Sequence, residues 1–257
     1  MLERKDRNPK GRFSGLADVY ARYRPGYPDA ALDRLVAVCG GGPLADVGCG
    51  TGIASRLLAA RGVRVIGVEP NDDMRARAEA TPSDGVPIEY RKGAAEATGL
   101  PDGSVQAVLA AQAFHWFDAP AALREFHRIL RPGGWVALLW NERDERDAFT
   151  AAFGEVMRTA PETTAVETGR ESCGFALLES PLFEAGVREV FASAQEMDED
   201  GVIGRALSAS YAPKEPAAVE TFRRRMSAVF AAHQRGGKAM LCYETSLYLA
   251  RRREVRV

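Results

Sequence analysis

The sequence predicts a doubly wound α/β domain, and three observations carry that reading. Short apolar runs alternate with segments of helical spacing through residues 29–140. A glycine-rich turn, Gly48-Cys49-Gly50-Thr51-Gly52, joins the first apolar run to the helix that follows it. An acidic residue, Glu69, closes the second run.

The elements follow in order. Residues 1–28 are polar and irregular, with Phe13, Tyr20, Tyr23 and Tyr27 spaced along them. Leu32, Leu35, Val36 and Cys39 fall at helical spacing, so a helix is expected over 29–39, capped by Asp29 and ended by Gly40-Gly41-Gly42. Pro43–Val47 reads as a strand, Ile53–Arg61 as a helix closed by Gly62, and Val63–Val68 as a second strand. A strand–helix–strand unit with parallel strands implies a right-handed crossover. Further on come a helix over 71–80 capped by Asn71, strands at Ile88–Arg91 and Ser104–Ala111, a helix at Ala119–Leu130 and a strand at Gly134–Trp140. Beyond these, 144–180 reads as polar or helical, Val187–Ala192 as a strand and Glu215–Gln234 as a long helix. Ala239–Glu244 and Thr245–Ala250 read as a final pair of strand motifs. No repeat or low-complexity linker divides the chain, so one domain spanning 1–257 is expected.

Composition excludes several classes of function. Thirty-four basic residues against 35 acidic ones leave a net charge of −1, which argues against a polyanion binder. At 46% hydrophobic and 27% charged, the chain is too apolar to be disordered. No apolar run reaches the ~18–20 residues of a membrane span, and the charged start MLERKDRNPKGRF lacks the apolar core of a secretory leader. A cytoplasmic protein without membrane or nucleic-acid partners is expected. The four cysteines (Cys39, Cys49, Cys173, Cys242) are scattered and the three histidines (His115, His127, His233) stand apart from them, so no metal is expected. The Arg-rich ends read as solvated tails.

The chemistry-bearing residues cluster in the first half. Glycines between a strand and a helix let the main chain turn sharply and let a ligand approach it closely. A dinucleotide-binding turn would place its third glycine at 53, where Ile53 stands, so a pyrophosphate on the helix N-terminus is disfavoured. A carboxylate at the end of the second strand, Glu69, suits the two hydroxyls of a ribose. Gly93-Ala94-Ala95-Glu96 follows the third strand with side chains small enough for a ring to lie on the backbone.

These pieces resemble the class I S-adenosylmethionine-dependent methyltransferases. The resemblance rests on DVGCGTG (46–52), VIGVEPNDDM (65–74), KGAAEATGLPDGSVQAV (92–108) and HRILRPGGWVALLW (127–140), in the family's order. FSGLADVYARYRPGYP (13–28) and AQAFHWFD (111–118) resemble the small-molecule, trans-aconitate methyltransferase-like (methyltransferase type 11) subgroup, and SASY (208–211) and CYETSLYLARR (242–252) do so less distinctively. Gln106 stands where that family often has Asp.

The resemblance implies a Rossmann-like seven-stranded sheet with an antiparallel last strand. It implies an N-terminal lid arm (1–28), a cofactor-binding core (29–140) and C-terminal strands (141–257) whose insertions at 141–186 and 193–238 cap the pocket. S-adenosyl-L-methionine would be the donor and S-adenosyl-L-homocysteine the product. Asp46, Gly48 and Gly50 would line the methionine end and Glu69 would hold the ribose. Pro70 and Met74 would flank the adenine, with Ala95 and Glu96 at its amino edge. Ala111 and Gln112 would begin the stretch beside the sulfonium, and Tyr20, Arg24 and Tyr27 would fold over from the arm. His115 is the candidate base or hydrogen-bond partner for the acceptor, against the alternative that it packs beside Trp116 and Phe117. After the fourth strand, Ala111-Gln112-Ala113-Phe114 lacks both the [DNS]-P-P-[YFW] pattern of amino-methylating nucleic-acid enzymes and the acidic metal ligand of catechol-type enzymes. The expected acceptor is a small molecule, taken at a carboxylate oxygen or, alternatively, at nitrogen or carbon. A non-catalytic binder, a nucleic-acid methyltransferase and a nicotinamide-dependent dehydrogenase are the remote rivals. A monomer or homodimer is expected.

Overall fold

The computed structural model describes residues 17–160 and 173–254. Residues 1–16 of the expected arm, Phe13 among them, and 161–172 of the first expected insertion lie outside the described residues.

Alternating burial builds the sheet. Its strands are β1 (Leu44–Val47), β2 (Val65–Val68), β3 (Glu89–Arg91), β4 (Val105–Ala111), β5 (Leu130–Arg143), β6 (Phe183–Met197) and β7 (Ala239–Arg252), ordered β3-β2-β1-β4-β5-β7-β6. Strands β1 to β5 pair in parallel, and β7 runs antiparallel to both β5 and β6. Ala45, Val47, Val108, Ala110, Val136 and Leu138 enter one core. The residues between them, Leu44, Ala107, Leu109, Ala137 and Leu139, enter the other. This period of two lets both faces be dry, as a sheet covered by helices on each side requires.

The helices that cover it are α1 (Ala17–Tyr23), α2 (Asp29–Cys39), α3 (Ile53–Ala59), α4 (Asp72–Ala80), α5 (Ala119–Ile129), α6 (Ala148–Arg158), α7 (Glu199–Leu207) and α8 (Pro216–His233). Helix α2 buries Leu32, Leu35 and Cys39 beside Leu58 of α3 on one face of the sheet; α5 buries Leu123, Phe126 and Ile129 on the other. As expected, Asn71 caps α4, its side chain accepting from Met74 N at 3.0 Å. Pro28, not Asp29, occupies the cap position of α2, and no side chain takes the cap bond there.

Three expected strands are corrected. The pair of motifs at 239–250 is one continuous strand, β7, because it lies between β5 and β6 and finds ladder partners along its whole length. Pairing with β7 likewise carries the strand expected at 134–140 on to Arg143 and the one at 187–192 out to Phe183–Met197, while the start of β5 at Leu130 pairs with Val105 of β4. Pro132-Gly133-Gly134 sits inside β5, where the register with β4 shifts between Val105 and Ala107.

A third apolar cluster joins Phe149, Phe153 and Met157 of α6, Val202 and Ala206 of α7, and Phe222, Met226 and Phe230 of α8 to Leu241 and Tyr243 of β7. It places the second-half helices around the start of β7. Helix α7 also touches α1: Tyr23 donates to Asp200 at 2.7 Å, and a side chain on Gly204 would strike the Tyr23 ring.

Candidate functional site

The carboxyl ends of β1, β2 and β4 open into one cavity of about 350 Å³. Crevices in doubly wound sheets form at this end, where neighbouring crossovers leave on opposite faces. Every residue expected to hold the cofactor lines the cavity except Arg24: Tyr20, Tyr27, Asp46, Gly48, Gly50, Glu69, Pro70, Met74, Ala95, Glu96, Ala111 and Gln112. Trp116 and Phe117 complete one wall.

The glycine turn is stereochemically obliged. Gly48 has φ +71, and a Cβ there would lie 2.8 Å from the Ala113 Cβ and 3.0 Å from the Phe117 ring. Gly52 has φ +76, and its Cβ would lie 2.4 Å from the Tyr90 hydroxyl. Glycine is favoured at both positions by dihedral and by space alike.

Glu69 is 7% exposed and uses both oxygens on the main chain. Oε2 accepts from Gly50 N at 2.8 Å and Oε1 from Asn71 N at 2.9 Å. Burial raises its pKa, while the two N–H groups and Arg75 pull against that rise. Asp46 is fully buried. Its Oδ2 accepts from Ser55 Oγ at 2.6 Å, and its Oδ1 has no partner among the described residues. Burial, opposed by the Ser55 bond and reinforced by the Glu69 charge, pushes the Asp46 carboxyl up to about 6. Thr51 Oγ1 is likewise buried without a partner. Buried polar atoms left unbonded are costly unless a ligand or water meets them. The cavity thus offers acceptors to a polar, cationic end of a ligand on one side and a braced carboxylate on the other. Those donors and acceptors fit the amino-acid end and ribose of S-adenosylmethionine.

Gln112 adds strain. It is a non-glycine residue with φ +56, held there by Gln112 N donating to Leu139 O at 2.8 Å and Nε2 donating to Asn141 O at 3.2 Å. Strained backbone of this kind concentrates where a site must be held open.

Three expected residues are placed differently from the expectation. Arg24 leaves the cavity wall: its guanidinium lies 4.6 Å from the Tyr20 ring centre and donates to Ser208 O at 3.0 Å, tying the arm to the end of α7. His115 is also outside the wall. Its Nδ1 accepts from Trp140 Nε1 at 3.4 Å, and its ring lies 4.7 Å from that of Trp116. Glu96 lines the cavity but spends Oε1 on Asp118 N at 2.8 Å. Sequence reasoning missed Cys49, Thr51, Ile53 and Ala54 as lining residues. The turn motif itself was the available signal, since a loop that wraps a ligand contributes its non-glycine members too.

Fold and site together resemble those of the class I methyltransferases. Residues 45–138 match a family described as a methyltransferase domain. An uncharacterized methyltransferase of Mycobacterium tuberculosis is 40% identical over 145 residues, 56% of this chain and 58% of that protein. An uncharacterized methyltransferase of Schizosaccharomyces pombe is 34% identical over 134 residues, 50% of this chain and 51% of that one. The matched region thus spans little more than half the length of these relatives. A type II methyltransferase candidate of Anaeromyxobacter dehalogenans superposes with a TM-score of 0.62 at 26% identity, covering 90% of this chain and 98% of that one. The match places a methyltransferase domain over residues 45–138, and the chain is similar to methyltransferases beyond it.

Proposed function

We propose that the protein transfers a methyl group from S-adenosylmethionine to a small molecule, at a carboxylate oxygen. The observation that carries the cofactor reading is the pairing, in one cavity, of the braced Glu69 with the unpartnered Asp46 Oδ1. When bound, the donor supplies a methyl on a sulfonium, already activated toward a nucleophile. The protein's work is alignment and the exclusion of water.

Glu69 holds the ribose through oxygens that Gly50 N and Asn71 N already orient. Asp46 meets the ammonium end, and a cation there draws its proton off. Trp116 and Phe117 close the apolar wall, and Tyr20 and Tyr27 bring the arm over the opening.

The carboxylate reading follows from the placing of His115, the residue expected as a base, outside the cavity wall with its Nδ1 accepting from Trp140 Nε1. An indole N–H only donates, so the lone pair of His115 Nδ1 is engaged by Trp140 Nε1. A carboxylate is deprotonated at neutral pH and needs no base, whereas a neutral amine or hydroxyl does.

Calorimetric titration with S-adenosylmethionine, S-adenosylhomocysteine and NADH tests the cofactor. Micromolar binding of the first two and none of the third is expected; binding of NADH alone would overturn the reading. Release of labelled methyl as a base-labile ester on incubation with carboxylic acids tests the acceptor atom, and a base-stable product would overturn it.

A further inference from the structure

We propose that Arg205 is an anion-binding residue of the acceptor site and takes a carboxylate that serves as a handle, separate from the atom that receives the methyl. The proposal deepens the function given above and rests on it.

Arg205 lies on α7 and is 7% exposed, the most enclosed guanidinium in the described residues. Its Nε donates to Tyr243 Oη at 3.0 Å, and among the described residues no carboxylate lies within ion-pair distance of it. Two other arginines with enclosed side chains are matched: Arg75 pairs with Asp72 and Glu79, and Arg143 with Glu145. A buried cation without a countercharge destabilises a fold and is better replaced by an apolar side chain unless something else uses it.

Its location says what uses it. Tyr243 pairs with Arg143 in the β5–β7 ladder, two residues beyond Asn141. The backbone oxygen of Asn141 accepts from Gln112, a cavity residue. Two residues of strand are roughly 7 Å, so the partner of Arg205 stands one small-acceptor length along the sheet from the cavity wall. The same side chains reach the arm: Tyr243 Oη donates to Gln195 Oε1 at 3.4 Å, and Gln195 Nε2 donates to Tyr23 O at 3.1 Å, one helical turn from the cavity residue Tyr20. Arg205 does not itself line the methyl-donor cavity; Tyr243 and Gln195 join it to the arm that carries the cavity residue Tyr20. A planar fork with its Nε already fixed presents its two terminal nitrogens to an oxyanion. An oxygen so paired has its lone pairs engaged and is a poor nucleophile, which separates the handle from the methylated atom.

The test is titration of the S-adenosylhomocysteine-saturated protein with succinate, glutarate and inorganic phosphate, on wild type, Arg205→Met and Arg205→Lys. Arg205→Met should melt at or above the wild-type temperature, bind S-adenosylhomocysteine as wild type does and bind the dicarboxylates at least tenfold more weakly. Arg205→Lys, which keeps the charge but loses the planar fork, should fall between them. Dicarboxylate binding that is equal in all three proteins, or absent from wild type, overturns the proposal. Dependence on Arg205 for phosphate alone overturns the carboxylate assignment. If wild type fails to bind S-adenosylhomocysteine yet shows Arg205-dependent dicarboxylate binding in its absence, the methyltransferase function falls and the anion site stands.

Discussion

Replacing Glu69 by Gln tests the cofactor site with the least change of shape. In the wild type, Oε2 accepts from Gly50 N at 2.8 Å and Oε1 from Asn71 N at 2.9 Å, both from groups with little access to water. A glutamine amide has one oxygen and one NH₂, so whichever way it turns, one main-chain N–H faces a donor. A buried donor left unmatched costs about 1–3 kcal/mol, which Glu69→Gln should lose in urea unfolding. A bond from a hydroxyl to a charged acceptor contributes about 1.5–3 kcal/mol. If the ribose is held there, affinity for S-adenosylhomocysteine should fall roughly 10- to 150-fold, at 1.4 kcal/mol per decade. Paired calorimetry and unfolding separate the two effects. Loss of stability with affinity changed less than threefold would refute the ribose role, leaving Glu69 as a brace for the glycine turn.

Three further outcomes follow from the geometry. Burial lifts the Asp46 carboxyl from 3.8 to about 6, so the folded state favours its protonated form; the stability this gives is present below pH 4 and is lost as pH rises toward 6. Asp46→Asn should remove that part of the pH slope of unfolding between pH 4 and 6 and make S-adenosylmethionine binding, which in wild type tightens as Asp46 ionises, insensitive to pH there; equal slopes in the two proteins would count against it. Gly48→Ala places a Cβ at φ +71 and 2.8 Å from Ala113, and should cost about 2–4 kcal/mol from the left-handed backbone and overpacking together, read by urea unfolding; a loss under 1 kcal/mol would contradict the turn geometry. His115→Ala should keep turnover within tenfold of wild type with an unchanged profile from pH 6 to 9; a fall of about a hundredfold or more, the scale of a lost general base, would point to an acceptor that must be deprotonated.

Much of the site was legible because its signals are local. Gly48, Gly50 and Gly52 announce a turn that other residues disfavour, and Glu69 directly follows an apolar run, so both could be placed on the sheet before its strand order was known. Helix α2 runs over Asp29–Cys39 as its apolar spacing predicts, and Asn71 caps α4 through a contact three residues away. Arg24 and His115 were harder. Their residue types suit a site, but Ser208 and Trp140, which occupy them, are distant in sequence. Nothing in the local pattern announces that Glu96 gives an oxygen to Asp118.

The sequence by itself determined the alternation of strands and helices, the glycine turn and the acidic strand end, since each depends on backbone preference and burial period within a few residues. The tertiary structure alone decided that β7 enters between β5 and β6 and so lengthens all three. It also decided that the arm is fastened to α7 through Tyr23 and Asp200, and that Arg205 is enclosed with no carboxylate beside it among the described residues. Those facts arise from pairings between residues far apart along the chain. Their partners are selected by which surfaces are left to bury once the local elements have formed, and a one-dimensional pattern carries no record of that selection.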